Sequence, residues 1–461
     1  MSNSIPAHGT SSTELGSRGR AVVIGAGIGG LAAAGALASH FHQVLVLERD
    51  GPSAPTVVRA GTPQARHVHG LLAGGLKALA ELFPGIEDDL LRAGALPLNG
   101  SLEVRVERPG FDPYPARDLG VRTLAASRAL IESVLRERVA RLPAVASRSS
   151  CRVTAILHGD GGNRVTGVRC EDDDSQLRDV PADLVIDASG RGSLTLDLLR
   201  AAGRALPRET TIGVDIGYAS ASYEIPHDPG RRWKGVMTFP QAPQSSRGAL
   251  MLPQEGGRWL LSLGGRGNDK PPGDEPGFLE FARQLRTPTI YNAIRHAGRV
   301  GEIARFAFPQ SRWRHFEQVG DFPAGLLPIG DAICTFNPVY GQGMSVAAKQ
   351  AVLLRRLLDM AARDSGTLAA MPNAYLTALV PLLETPWAMA AIPDFIFPQT
   401  QGERPPDFSR TIRLGMAMQR LAARRPEIHK LTVEVQHLLK PRSAYRRPMV
   451  MARLLLESLR G

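Results

Sequence analysis

The stretch AVVIGAGIGGLAAAGALA, residues 21–38, decides the fold of this chain. Its apolar start predicts a strand, Gly25, Gly27 and Gly30 follow, and an alanine- and leucine-rich run then predicts a helix. In this pattern the first glycine allows a tight turn, the second lets the backbone approach a pyrophosphate, and the third lets helix and strand pack closely. Phosphates would bind the free N–H groups where the helix starts. The stretch therefore predicts a Rossmann-type dinucleotide site.

A second predicted strand supplies the acidic residue that such a site uses. The run QVLVLERD, residues 43–50, is apolar through Leu47 and reaches Glu48 eighteen residues after Gly30. A carboxylate at this point accepts a hydrogen bond from a ribose 2′-OH and would repel a 2′-phosphate. We therefore expect FAD or NAD here, and not NADP.

Another glycine-rich stretch distinguishes FAD from NAD. In GLLPIGDAICTFNPVYGQGMSVAAKQAVLL, residues 325–354, an apolar strand ends at Gly330 and a turn leads into a helix. Asp331 can hold a ribityl hydroxyl, and the helix N-terminus can stabilise the negative charge that reduced flavin carries near N1 and O2. The stretch therefore predicts FAD as the cofactor. The residues that it assigns to cofactor binding are Asp331, Pro338, Gly341, Gln342, Gly343 and Met344.

Together these motifs resemble those of the flavin monooxygenases related to p-hydroxybenzoate hydroxylase. The resemblance covers about residues 21–398, and TPQARHVH and NPVYGQGMS indicate the squalene-epoxidase-like and polyether-epoxidase-like branch. It implies that Arg128 contacts FAD and that Arg66 and Arg191 are candidate active-site or cofactor contacts. Arg49 and Val153 complete the predicted cofactor-binding set. The stretches that carry the resemblance are GAGIGG with Glu48, TPQARHVHGLL (62–72), SRALIESVLRERV (127–139), DASGRGS (187–193), RWLLSLGGRGNDKPP (258–272) and GDAICTFNPVYGQGMS (330–345).

The expected fold class is α/β, with a Rossmann-type FAD-binding domain of the glutathione-reductase-like kind, a β-sheet substrate domain and C-terminal helices. The FAD-binding domain must be discontinuous, because the first strand and the strand before Asp331 meet on one cofactor. Alternating apolar runs between 211 and 298 indicate the substrate-side sheet. The predicted division is a disordered tail at 1–18, FAD-binding segments at 19–98, 121–208 and 300–365, substrate-binding segments at 99–120 and 209–299, and a helical region at 366–461.

Positive charge is concentrated at the C-terminal end. The chain has a formal net charge of +11, and residues 401–461 hold thirteen Lys or Arg against five Asp or Glu. Nucleic-acid binding is disfavoured, because the aromatic interleaving and recognition motifs of such proteins are missing. A solvated helical face explains the excess, and an anionic membrane surface or an acidic carrier protein that delivers a tethered substrate is the alternative.

The rest of the composition favours a cytoplasmic protein. Three cysteines show neither paired nor metal-ligand spacing, and residues 1–20 lack the apolar core of a secretory signal. No stretch reaches the roughly eighteen uninterrupted apolar residues of a membrane-spanning helix. The longest, 375–397, is interrupted by Pro381, Pro386 and Pro393.

Few side chains in the sequence suggest acid–base or metal chemistry. His67 and His69 form an HxH pair without acidic partners, so no metal site is predicted. Phe239, Trp259 and Phe336 are candidates for an apolar cleft. A WxWxIP motif ahead of the second glycine-rich stretch is missing, which disfavours halogenation. A second GxGxxG is missing too, so NAD(P)H must dock transiently at the flavin or a separate flavin reductase must supply electrons.

The leading hypothesis is an FAD-dependent monooxygenase that inserts one oxygen atom from O₂ into an apolar secondary metabolite through a flavin C4a-hydroperoxide. Alkene epoxidation is placed ahead of aromatic hydroxylation. A flavin-dependent prenyl-chain reductase is the second hypothesis. The third is a binding module, docked to a carrier protein or membrane, whose flavin fold has lost catalysis; the intact glycines and Asp331 argue against it.

Overall fold

A computed structural model describes residues 19–52, 58–363 and 367–458. The predicted disordered tail, residues 1–18, lies outside the described residues. Within them the chain forms four β-sheets and a set of helices, and the predicted α/β fold class is confirmed.

The described residues form β-strands from Arg20 to Thr335. They are β1 (Arg20–Ile24), β2 (Gln43–Leu47), β3 (Leu96–Leu98), β4 (Val104–Glu107), β5 (Thr123–Ala125), β6 (Val145–Arg148), β7 (Arg152–His158), β8 (Val165–Glu171), β9 (Leu177–Pro181), β10 (Leu184–Asp187), β11 (Arg208–Glu224), β12 (Gly235–Thr238), β13 (Gly248–Pro253), β14 (Trp259–Arg266), β15 (Gly298–His315), β16 (Leu326–Pro328) and β17 (Cys334–Thr335).

The first sheet is parallel and has the order β16-β10-β1-β2-β6. Its central strands are almost wholly apolar because both faces are covered, as is usual for parallel sheets. In such sheets ligands bind beyond the carboxyl ends of the strands. That edge brings Gly25, Glu48, Ala188 and Gly330 to the same side of the molecule.

A seven-stranded sheet of order β17-β15-β11-β14-β13-β12-β4 stands beside it. Its long strands β11 and β15 pair antiparallel from Arg208 with His315 to Glu224 with Gly298. The sequence division assigned 300–315 to the cofactor-binding domain, and this pairing places that strand in the large sheet instead. The physical reason is that β15 makes its backbone hydrogen bonds with β11 on one side and with the short strand β17 on the other, both in the large sheet. Two small sheets, β3-β5 and β7-β8-β9, flank the two large ones.

The helices cover the parallel sheet and close the C-terminal side. They are α1 (Ile28–Leu37), α2 (Ala73–Leu82), α3 (Ile86–Arg92), α4 (Gly100–Glu103), α5 (Arg128–Ala140), α6 (Leu194–Ala201), α7 (Glu275–Arg283), α8 (Thr289–Ile294), α9 (Gly343–Arg363), α10 (Met371–Asp394), α11 (Phe408–Arg424), α12 (Pro426–Gln436) and α13 (Pro448–Ser458).

Apolar clusters hold these layers together, and three of them join most of the helices to the sheets and to one another. The largest encloses the parallel sheet and includes buried faces of α1, α5, α9 and α10. A second packs α7 and α8 against the large sheet, and a third joins α11, α12 and α13. Helix α5 begins after Ser127, whose side chain caps the first turn by accepting from the Leu130 N–H.

Helix α10 corrects one expectation. The three prolines were expected to interrupt segment 375–397, yet the helix runs from Met371 to Asp394 through all of them. A proline removes one backbone hydrogen bond and kinks a helix, but tertiary packing can hold the helix together. By length and composition alone α10 could cross a membrane. Residues Tyr375, Leu379 and Leu383 are nevertheless part of the main core, and buried core helices meet the same criterion.

Candidate active site

Of the three glycines around the turn from β1 to α1, two have no room for a side chain and one has. Gly25 has φ +96°, and a Cβ on it would lie 2.7 Å from the carbonyl oxygen of Ala188. A Cβ on Gly30 would lie 1.9 Å from the carbonyl oxygen of Gly25. At Gly27, which precedes α1 in an extended conformation, no heavy atom of the described residues lies within 4 Å of the Cβ position. The backbone at Gly27 is therefore free to approach a ligand.

Glu48 joins this loop to a buried chain of charges. One carboxylate oxygen accepts from the Ala26 N–H at 2.8 Å and contacts Arg59 Nη1 at 2.8 Å. Arg59 pairs with Glu132 at 2.8 Å, and Arg128 at the start of α5 donates to the same Glu132 at 2.9 Å. Burial alone would raise the pKa of Glu132, but the two arginines hold it below its usual range. Sequence reasoning missed Arg59 and Glu132, because no local pattern marks them.

Asp331 follows β16 at the same edge of the sheet. Burial raises the pKa of its carboxyl group, and the nearby Arg128, Arg191 and Arg312 act in the opposite direction. Asp331, Arg128 and Arg191 line one cavity although they come from three distant parts of the chain. The Asp331 carboxylate therefore lies near arginine side chains and faces the cavity, where it could accept a hydrogen bond from a bound ligand.

The loop NPVYGQG, residues 337–343, presents a buried side chain without a partner. Gln342 is 1% exposed, and among the described residues neither its amide nitrogen nor its amide oxygen has a hydrogen-bond partner. Buried polar groups are normally paired, so this amide is suited to a bound group. Gln342 lines the same cavity as Gly27 and Asp331, and helix α9 begins at the next residue, Gly343.

These features fit a flavin dinucleotide. The N-termini of α1 and α9 open into one cavity, and helix N-termini stabilise negative charge. Gly27 would admit the pyrophosphate, Glu48 a ribose hydroxyl, Asp331 a ribityl hydroxyl and Gln342 the ring edge. When bound, FAD supplies the redox and oxygen-activating chemistry, and the protein supplies position and electrostatics.

The cavity has a volume of about 2350 Å³. Pockets for a single small molecule usually measure about 300–1,000 Å³, so there is room for a second molecule beside the dinucleotide. We call the part beyond the NPVYGQG loop the chamber; it lies between the large sheet and helices α10 to α13. Apolar side chains that line it are Val106, Tyr114, Met237, Phe239, Leu250, Phe306, Phe308, Phe336, Met389, Met416, Met418 and Leu454.

Most predicted site residues line this cavity, although their contacts with FAD stay a prediction. Gly30 lies behind the loop, where it packs on Gly25. Arg66 is exposed at the end of a 3₁₀ turn and lies outside the cavity lining, and Trp259 belongs to the core of the large sheet, so neither takes the place expected for it. The predicted residues in the lining are Gly25, Gly27, Glu48, Arg49, Arg128, Val153, Arg191, Phe239, Asp331, Phe336, Pro338, Gly341, Gln342, Gly343 and Met344.

The HxH pair lines the cavity as two neutral imidazoles. His67 Nδ1 lies 2.7 Å from Ser220 Oγ, and burial lowers the pKa of His67 to about 4. His69 Nδ1 lies 2.8 Å from the His67 carbonyl oxygen, and burial lowers its pKa to about 3. Across the described ranges no three side chains of His, Cys, Asp or Glu are grouped as metal ligands. His67 thus links the 62–72 segment to β11 of the large sheet, and His69 bonds within its own segment.

A buried polar cluster joins the walls of the chamber. Asp394, at the end of α10, is fully buried and accepts from Arg266, from Asn337 Nδ2 at 3.0 Å and from the Tyr340 hydroxyl at 3.0 Å. The Tyr218 hydroxyl donates to Asn337 Oδ1 at 2.8 Å. The cluster holds the NPVYGQG loop against α10 and the large sheet. Sequence reasoning missed it, although Asp394 is the one charged residue in the apolar run 385–402.

The chain is similar to known proteins in sequence and in fold. The family described as FAD binding domain matches residues 19–371. The Mycobacterium tuberculosis protein Rv3254 is 36% identical over 402 residues, which cover 85% of this chain and 83% of that protein. Kynurenine 3-monooxygenase of Salinispora tropica is 28% identical over 367 residues, covering 74% and 73%. The structure of the flavin-dependent brominase Bmp2 superposes with a TM-score of 0.68 at 16% identity, covering 96% and 99%, and shows a shared fold.

The fold, the glycine loop and the cavity define an FAD-dependent flavoprotein of the monooxygenase class. The chain belongs to the FAD binding domain family, within the p-hydroxybenzoate hydroxylase superfamily. The matches support this superfamily and do not support the epoxidase-like branch that the motifs indicated.

Proposed function

We propose that the protein inserts one oxygen atom from O₂ into a large, mainly apolar secondary metabolite. The observation that carries the proposal is the single continuous cavity, which joins the dinucleotide loops to the apolar chamber. Substrate in the chamber would lie beside the cofactor and away from bulk water, which is the arrangement that flavin-dependent oxygenation requires.

Two reactions are compatible with this chamber. The sequence motifs suggested oxygen transfer to an alkene, but the matches do not support the epoxidase-like branch, and the relationship to kynurenine 3-monooxygenase supports monooxygenation in general. Aromatic hydroxylation is therefore the alternative to alkene epoxidation. The lining accommodates either substrate, because methionine side chains adapt to irregular apolar shapes and aromatic rings pack on flat ones.

The protein's own residues would act by binding, orienting and excluding water. His67 and His69 are neutral at pH 7, and Tyr340 keeps its proton because burial raises its pKa well above the usual range. These groups offer hydrogen bonds rather than strong acid or base catalysis. Electrons would come from NAD(P)H, directly or through a separate flavin reductase.

The test is turnover of FAD-loaded protein under isotopically labelled O₂, with NADH, NADPH or reduced flavin as the electron source. Polyene and polycyclic aromatic compounds form the substrate panel, and mass spectrometry follows the product. One labelled oxygen atom per product molecule supports the proposal. Turnover that proceeds without O₂ and saturates a double bond would show a prenyl-chain reductase instead. Oxidation of the reductant without a labelled product from any substrate would contradict the proposal.

A further inference from the structure

The C-terminal wall of the chamber carries several arginines of the cavity lining. Arg420 comes from α11, and Arg442 and Arg446 come from a short 3₁₀ turn between α12 and α13. Arg420 is paired with Glu457 of α13 at 3.4 Å. The salt bridges in the described part of this region involve neither Arg442 nor Arg446. The two arginines of the turn therefore differ from Arg420, whose charge a carboxylate balances.

The turn that carries Arg442 and Arg446 is held on two sides. The Arg442 N–H donates to Thr385 Oγ1 of α10 at 3.0 Å, and Thr385 is buried. Ala444 and Tyr445 pack against the apolar cluster that joins α11, α12 and α13. The backbone of the turn is thus fixed between α10 and this cluster, with one arginine at each of its ends.

The groups around these two arginines do not balance their charge. Burial lowers the pKa of Arg442, Tyr445 opposes this effect, and the positive charge of Arg446 lowers the pKa further. Tyr445 keeps its proton at pH 7, because burial raises its pKa to about 12. Glu384 also lines the cavity, but it is exposed and forms no salt bridge with either arginine. Two neighbouring cations repel each other, so an anion bound by both would stabilise them.

The chamber wall next to the turn is apolar. Leu454 belongs to the cluster against which Tyr445 packs, and Met389 and Met451 pack against the same cluster. All three side chains line the chamber. Methionine side chains adapt to irregular apolar shapes. A ligand that matches both features has an anionic head and an apolar body.

We propose that Arg442 and Arg446 bind a phosphate group, and that the ligand is a phosphate monoester whose apolar part occupies the chamber. Such an ester carries about 1.5 to 2 negative charges at pH 7 and three acceptor oxygens, so it can pair with both guanidinium groups at once. A phosphodiester carries a single charge and would balance only one of the arginines. The inference rests on the proposed function, because it assigns a substrate class to the chamber that we propose as the substrate site.

The test compares phosphates that differ in charge or in apolar length. FAD-loaded protein is titrated calorimetrically with decyl phosphate below its aggregation concentration, with the methyl ester of decyl phosphate, and with ethyl phosphate. We expect decyl phosphate to bind at least roughly tenfold more tightly than the methyl ester, which has lost one charge, and than ethyl phosphate, which lacks the long chain. Arg442→Gln and Arg446→Gln should each weaken the binding of decyl phosphate by about tenfold. FAD affinity and the thermal midpoint should stay unchanged in both variants.

Arg447→Gln provides the matched control. Arg447 follows Arg446 directly and is exposed as Arg446 is, but it lies outside the cavity lining. This variant should bind decyl phosphate as tightly as the unmodified protein does. An equal loss of affinity in Arg447→Gln and Arg446→Gln would show a general effect of surface charge and would overturn the proposal.

Three other results would also overturn the proposal. Equal binding of decyl phosphate and its methyl ester would indicate a contact with a single charge, such as a phosphodiester lipid headgroup makes. Equal binding of decyl phosphate and ethyl phosphate would indicate an anion contact that does not involve the chamber. The third result is an affinity for decyl phosphate that is absent, or that survives both arginine substitutions.

The titration separates this inference from the proposed function, because it needs no turnover. Selective binding of decyl phosphate without oxygenation of any substrate would contradict only the proposed function. Oxygenation of phosphate-free substrates by a protein that shows no selectivity for the phosphate monoester would contradict only the phosphate site.

Discussion

The cofactor end of the cavity and the chamber are built in different ways. At the cofactor end the critical shape belongs to the backbone: Gly25 and Gly27 lie in the loop before α1, and Gly30 lies in its first turn. A Cβ on Gly25 or Gly30 would meet backbone, and the open space at Gly27 is the proposed path of the cofactor. The chamber is formed by side chains that converge from strands and helices far apart in sequence, as Arg108 and Asp394 do. Substitutions should therefore affect the two regions through different properties.

The largest effect should come from Gly30→Ala. The new methyl group would lie within 1.9 Å of the Gly25 carbonyl oxygen, and neither backbone segment can move without disturbing β1 or α1. We expect loss of folded, FAD-containing protein, measured by soluble yield and the visible flavin spectrum.

Gly27→Ala is the matched control, because its methyl group meets no described atom and its backbone conformation suits alanine. This variant should keep the far-ultraviolet circular dichroism of the folded protein but bind FAD at least tenfold more weakly. Full FAD affinity in Gly27→Ala would show that the dinucleotide does not pass this loop.

In the chamber, Asp394→Asn should destabilise the fold without removing FAD. It leaves the Arg266 cation buried without a counter-charge, and breaking a buried pair in this way costs about 3–5 kcal/mol. We expect a clear drop in the thermal unfolding midpoint. Asp215→Asn makes the same chemical change in an ion pair whose carboxylate is 65% exposed, with Lys270, and should cost less than about 1 kcal/mol. Similar losses in both variants would mean that the buried cluster does not hold the chamber together.

The difference between the two regions also explains what the sequence could predict. The glycine loop, Glu48 and Asp331 could be proposed from the sequence because backbone geometry and strand ends leave local patterns, and the structure brings them to one cavity. Arg66 was chosen from a motif shared with relatives, but a short 3₁₀ turn directs it outward. Arg59 and Asp394 were missed because their contacts depend on which distant groups surround them, and residue spacing along the chain does not encode that.

A smaller effect is expected from protonation of His437, at the junction of α12 and α2. Its Nδ1 accepts from the Ala73 N–H at 3.2 Å, and burial lowers its pKa from 6.5 to about 4. Between these values the unfolded chain binds the proton more readily than the folded chain, so stability falls as pH falls from 6.5 to 4. The expected contribution is about 3 kcal/mol. His437→Gln should lessen the dependence of urea unfolding on pH, and the part that remains is expected from His67, His69 and His429, whose pKa values burial also lowers. Exposed His227→Gln should leave the dependence unchanged.

The smallest effect is expected at the rim of the chamber. Met416 lines the cavity but is 56% exposed, so Met416→Ser removes only part of an apolar contact. Dissociation constants for apolar probes such as naphthoate and dodecanoate, measured by calorimetry, should rise by roughly threefold, which corresponds to less than about 1 kcal/mol. FAD affinity should not change, because Met416 lines only the chamber and not the cofactor end of the cavity. Met449→Ser, on α13 and 68% exposed outside the lining, should change neither quantity. A loss of FAD from Met416→Ser would show that the chamber and the cofactor end of the cavity are coupled. The two regions would then not respond to substitution independently, as the comparison predicts.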